Sequence, residues 1–190
     1  MEPTPGTKAW YAQVIEEIIE PERLIIDPHH HLWFGRGFFD YSLEDLWKDT
    51  ESGHKIVKTV FIECGISYHE TGPDYLRSVG ETEFAADIAV QSASAHPPRA
   101  VIAGIVSHAD LTLGDMLEEV LEVHKTASKG LLRGIRHAGA HHPNPEEAYN
   151  AGRHGSGLFL DEAFQAGVRL LGRHGYTYES WHYHTQLRDF

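Results

Sequence analysis

A single cysteine, Cys64, in 190 residues leaves no internal disulfide to form. A fold stapled by disulfides is excluded, and a reducing, cytoplasmic setting is the expectation. Long apolar runs are missing too. No stretch approaches the ~20 residues that span a bilayer, and the opening Met1-Glu2-Pro3-Thr4-Pro5 lacks the basic and apolar regions of a secretory leader. Positive charge is scarce: 16 Lys and Arg stand against 28 Asp and Glu, a formal net charge of -12. Phosphate backbones require clustered cations, so neither nucleic acid nor a membrane is the expected partner. A local Arg or His cluster can still receive an anionic small molecule. No nucleophile elbow and no phosphate-cradling glycine loop is present, and Gly35-Arg36-Gly37 is too short for a dinucleotide site. The remainder, 41% hydrophobic and 23% charged, suits a soluble chain able to bury a real core.

Histidine is abundant, with 15 residues. The most informative stretch is Asp27-Pro28-His29-His30-His31, directly after Leu24-Ile25-Ile26. Side chains alternate along a strand, so Asp27, His29 and His31 are predicted to share one face. Two imidazoles and a carboxylate at a strand end can hold a divalent metal, or position and protonate a polar substrate.

The rest of the chain alternates between two patterns. Leu24–Asp27, Lys58–Cys64, Ala100–Ser107, Leu131–His137 and Tyr176–Tyr183 are predicted strands, and the middle ones read as strands buried on both faces. Helices are predicted at Lys8–Glu20, from Ser42 onward, and over Gly80–Ala95, Leu113–Ala127 and Leu160–His174. Strand–helix alternation specifies an α/β fold with a parallel sheet. Residues 1–23 read as an N-terminal tail and helix, and 24–190 as the main domain. Polar residues mark every predicted strand end: the Asp27–His31 cluster, Glu63, His108, Arg136 with His137, and His182 with His184. Such ends form the active face of α/β folds. The irregular stretches Tyr68–Val79 and His137–Gly157 follow strand ends and are either pocket covers or surface loops.

These motifs resemble those of the amidohydrolase-related family, TIM-barrel hydrolases that include metal-dependent hydrolases and lactonases. The resemblance runs through Ile25–Trp33, Phe61–Gly65, Gly80–Phe84, Gly104–Leu111, Arg133–His137 and Tyr183–Leu187, in order. It implies a (β/α)8 barrel present as about its first five βα units. It implies metal-binding roles for His29, His31 and His184, with a divalent ion such as zinc as cofactor in metal-dependent relatives and none in some lactonases. Asp27 would lie beneath the histidines and fix an imidazole. Arg136 would clamp a substrate carboxylate or polarised oxygen, or else pair with Glu63 across the barrel. Glu63, His108 and His137 complete the expected substrate-side set. The implied reaction is hydrolysis of a cyclic ester or amide. The family's general base, a strand-eight aspartate, has no counterpart here, so turnover by this chain is expected to be weak or absent. The alternative is a non-catalytic relative that binds a ligand or metal, or self-associates.

Overall fold

The computed structural model describes residues 2–35, 39–144, 146 and 155–190. Arg36 and Gly37 of the glycine stretch, and much of the loop expected at His137–Gly157, lie outside these residues. The elements are α1 (Lys8–Tyr11), β1 (Leu24–His30), α2 (Leu43–Thr50), β2 (Lys55–Ile62), α3 (Val79–Ala93), β3 (Val101–His108), α4 (Met116–Ala127), β4 (Leu132–Arg136), α5 (Glu162–Arg173) and β5 (Thr177–Glu179). The strands form one parallel sheet in the order β1-β2-β3-β4-β5. Each strand pairs with the next in sequence, so the sheet curls into a partial barrel of about five βα units. None of the described helices is long and apolar enough to cross a membrane.

Two apolar clusters hold the helices to the sheet. Leu32, Leu46, Phe61, Ala85, Ala89, Ile102 and Ile105 pack β1–β3 against α2 and α3. The alanines let α3 lie close to the sheet. Leu111, Leu117, Leu121, Ile135, Phe164 and Leu171 form the second cluster around β4, α4 and α5. The start of α2 is fixed locally by a capping box. The Ser42 hydroxyl accepts from the Asp45 backbone N–H, and the Asp45 carboxylate accepts from the Ser42 N–H.

The expected strands at Leu24–Asp27 and Lys58–Cys64 shift by two or three residues at their ends, and two elements depart further from the sequence expectation. The N-terminal helix stops at Tyr11, well short of Glu20, and Val14, Ile15 and Ile19 remain exposed. Their spacing is helical, but of this apolar series only Ile18 is partly covered, against Gly53, and a short helix with so little tertiary burial does not sustain itself. Strand β5 ends at Glu179 rather than Tyr183. The chain then turns: the Trp181 carbonyl accepts from the Gly139 N–H, and buried Gln186 accepts from the His141 and Tyr183 N–H groups and donates to the Gly139 carbonyl.

Beneath the strand ends runs a buried hydrogen-bond chain whose polarity its partners determine. Ser78 Oγ donates to the His108 carbonyl at 2.8 Å, so it receives the proton on His124 Nε2 at 3.4 Å. His124 Nδ1 then accepts from Thr82 Oγ1 at 2.9 Å, which accepts from Ser107 Oγ at 2.7 Å. Every link is satisfied only while His124 is neutral, and burial pushes its pKa down to about 4.

Candidate functional site

At the end of β1 the chain carries His29 and His31 to one side and His30 to the other, where His30 packs edge-on against Phe61 at 5.9 Å. A register shift between Asp27 and His30 accompanies Pro28, which supplies no ladder N–H. The rings of His29 and His31 meet edge to face, with their Nε2 atoms 3.2 Å apart. The proton positions follow from the partners. His31 Nδ1 donates to the Ile62 carbonyl at 2.8 Å, leaving Nε2 as an acceptor. Burial lowers the His31 pKa, so the ring stays neutral near pH 7.

Arg136, the last residue of β4, reaches the same point. Its Nη2 lies 3.1 Å from His29 Nε2. A guanidinium only donates, so His29 Nε2 accepts, and the His29 proton sits on Nδ1, 3.9 Å from Glu179 Oε1. Two acceptor nitrogens therefore lie 3.2 Å apart, with Arg136 donating to one of them. That arrangement is repulsive on its own and is relieved by a cation between or beside the nitrogens. Arg136 supplies positive charge on one side. Its side chain is only 7% exposed and is fixed by Glu179, which accepts from Nε at 2.8 Å and also from Nη2. The Glu63 carbonyl lies 3.4 Å from Nη1, and the Glu63 carboxylate 3.8 Å.

The expected site residues fall into three groups. His29, His31, Arg136 and Glu63 converge. His108 and His137 lie on the neighbouring strand ends and serve the loops. His108 Nδ1 donates to the Arg136 carbonyl at 3.0 Å, and its ring stacks on Tyr68 beside a second cavity of about 410 Å³ that includes Arg77 and Asp110. His137 is almost fully buried, and its Nδ1 accepts from the Leu111 N–H at 3.0 Å. Two residues depart from their expected positions. Asp27 Oδ1 accepts from the His29 backbone N–H at 3.1 Å and so holds the main chain of the motif, not an imidazole. The kink at Pro28 places that N–H within reach. His184 is exposed on the short 3₁₀ turn His184–Gln186, beyond the end of β5. Among the described residues no three His, Cys, Asp or Glu side chains form a metal-holding group, so the structure does not join His184 to the pair.

Glu179 is the site residue the sequence reading missed. It is paired in register with Arg136 across β4 and β5, and a carboxylate closing a short strand opposite an arginine was the available signal. Glu81 is a second omission. It is 2% exposed, and its Oε1 accepts from the N–H groups of Cys64 and Ile66 at 2.8 and 3.0 Å, shaping the loop after β2. Burial raises its pKa to about 7, against the opposing pull of those two hydrogen bonds. Glu81→Ala leaves both donors without their acceptor and is expected to cost about 3 kcal/mol in denaturant unfolding. Glu81→Gln, which keeps an acceptor there, is expected to recover most of that loss.

The two imidazoles fit a divalent ion in spacing and protonation. With Zn–N bonds of about 2.0–2.1 Å, two nitrogens on a tetrahedral zinc lie about 3.3 Å apart. Catalytic zinc takes three protein ligands, and among the described residues only two are brought together here. Beside the pair opens a cavity of about 310 Å³, lined among others by Asp27, Trp33, Phe39 and Tyr41.

No protein-family model and no curated protein matches this chain. Solved structures do. An amidohydrolase from Burkholderia multivorans, crystallised with bound HEPES, aligns over 88% of this chain with a TM-score of 0.57 and 22% identity. A second crystal form, described with bound zinc, gives 0.55 and 23% over 88%. This likeness establishes the fold. The chain spans 51% and 52% of the two solved chains, so its five-stranded unit corresponds in fold to about half of each.

Proposed function

We propose that this chain forms the histidine-bearing half of a hydrolase that opens a small cyclic ester or amide, with a lactone carrying a carboxylate or sugar hydroxyls as the favoured substrate. The observation that carries this reading is the convergence of two imidazole acceptors with a buried, forked guanidinium at the ends of β1 and β4. Arg136 donates to a carbonyl or carboxylate oxygen placed between β1 and β4. The Nε2 atom of His31 accepts a proton from a water held beside it, and the lowered pKa of His31 keeps it ready to accept at neutral pH. His29 and His31 would also hold a divalent metal, which when bound supplies Lewis-acid polarisation of the carbonyl and acidifies water. Bound zinc in the similar Burkholderia multivorans protein supports that part of the reading.

A small sugar lactone titrated into the 190-residue protein is expected to shift the His29 and His31 ring signals in NMR spectra. In His31→Ala the remaining His29 shift should fall at least tenfold in affinity. An unchanged spectrum at millimolar lactone would contradict the reading. Self-association is the second reading, favoured by Leu24 and Ile26, which are 66% and 58% exposed along β1. Sedimentation is then expected to show a dimer that Ile26→Lys dissociates, and a wild-type monomer at 100 µM, roughly the upper range of such assays, would exclude it.

A further inference from the structure

A metal ion and Arg136 cannot use the same nitrogen at once. His29 Nε2 has one lone pair, and Arg136 Nη2 occupies it at 3.1 Å. The guanidinium is not free to swing aside, because Glu179 takes Nε and Nη2 and the side chain is buried against the Glu63 backbone. An ion bound to both imidazoles would sit about 2 Å from His29 Nε2, within a few ångströms of a fixed positive charge. The site thus carries its own cation where a metal would go.

We infer that Arg136 competes with a divalent cation for the lone pair of His29, and so sets how tightly the His29–His31 pair takes metal. The inference rests on the reading of that pair as a metal or ligand site given above. It adds a selectivity rule: with Arg136 in place the pair favours oxygen ligands that accept hydrogen bonds from a guanidinium, and removing that charge turns the same two imidazoles toward metal. Glu179 takes part by anchoring Arg136, not by binding the ion.

The test is zinc affinity by calorimetry, using ZnCl2 and the 190-residue wild type, Arg136→Met, the double variant Arg136→Met/Glu179→Gln, and each of these with His31→Ala. Arg136→Met is expected to bind zinc at least tenfold more tightly than wild type. The double variant should show the same gain, and His31→Ala should abolish the gain in both. Circular dichroism checks folding, and the double variant, which removes both charges of the pair together, decides the matter if Arg136→Met alone unfolds. A double variant that binds zinc no more tightly than wild type would overturn the inference. So would a gain in Arg136→Met that disappears in the double variant, since a released Glu179 carboxylate would then be the new ligand. If His31→Ala leaves zinc affinity unchanged in every background, the reading of the histidine pair itself fails.

Discussion

Between pH 7 and pH 4 the protein is expected to lose about 3 kcal/mol of stability, and Glu81→Gln about 6 kcal/mol over the same range. The three buried groups with the largest shifts set these numbers, and the lowered His31 adds a loss of the same sign in both proteins. His30 and His124 both have pKa values pushed down to about 4, by burial first. Unfolding restores each to about 6.5, so the unfolded chain binds protons that the native one refuses. The stability tied to each neutral ring is whole above pH 6.5 and drains away as pH falls toward 4. At 1.36 kcal/mol per pKa unit, each contributes a loss of about 3 kcal/mol. Glu81 works in the opposite sense. Its native pKa of about 7 lies above its ordinary 4.5, so its contribution is whole below pH 4.5 and is lost as pH rises through 7. Acidification therefore returns about 3 kcal/mol through Glu81 and offsets one histidine. Replacing Glu81 with Gln removes that offset and exposes the full loss. His124→Gln, whose amide can accept from Thr82 and donate to Ser78, is expected to abolish most of the acid loss, because the remaining loss at His30 is then offset by Glu81. Urea midpoints measured at half-unit pH steps check all three proteins. A wild type as stable at pH 4 as at pH 7 would contradict the assignment of neutral His30 and His124.

Gly134→Val is expected to cost about 3 kcal/mol or more and to disconnect the site from β5. A Cβ at Gly134 would stand 2.5 Å from the Thr177 carbonyl and closer still to the Thr177 hydroxyl, both belonging to the neighbouring strand. The obstruction is backbone, so no rotamer change relieves it. β5 has only three residues, Thr177–Glu179, and each is paired with β4. Forcing Thr177 away takes Glu179 from Arg136, leaving a buried guanidinium without its carboxylate, which is costly. Hydrogen exchange should show loss of protection at Ile135 and Tyr178 in this variant while β1–β3 remain protected. Unchanged protection across β4 and β5 would show that the close contact at Gly134 does not matter. Among small residues, Gly134 thus links strand pairing directly to the geometry of the cationic centre.

How far the sequence revealed this arrangement depended on where each residue's partners lie. β2, β3 and β4 were legible because both faces are buried, so their apolar runs, Val60–Ile62 and Ile102–Val106 among them, are nearly unbroken. The start of α2 was legible because its cap is local, Ser42 and Asp45 lying on adjoining turns. The N-terminal helix was overread because Val14, Ile15 and Ile19 supply the periodicity without a surface to bury it. At the site, the His29–His31 pair could be foreseen from strand alternation. The role of Asp27 could not, because it turns on a local kink at Pro28. Nor could the choice of Glu179 over Glu63 as the closer partner of Arg136, since it depends on β4–β5 register, which composition does not specify. His184 was placed on a strand that ends before reaching it, because the turn beyond Glu179 is held by Gln186 through contacts distant in sequence.

Long-range proton–nitrogen NMR of the histidine rings tests the central claim most directly, with His29→Ala and His31→Ala spectra assigning the two signals. Without metal, His29 and His31 are both expected to carry their proton on Nδ1 and to show acceptor-type Nε2 signals, and zinc should shift the two Nε2 signals together. A proton on His31 Nε2, or zinc that moves neither signal, would contradict the meeting of two acceptor nitrogens on which the account stands.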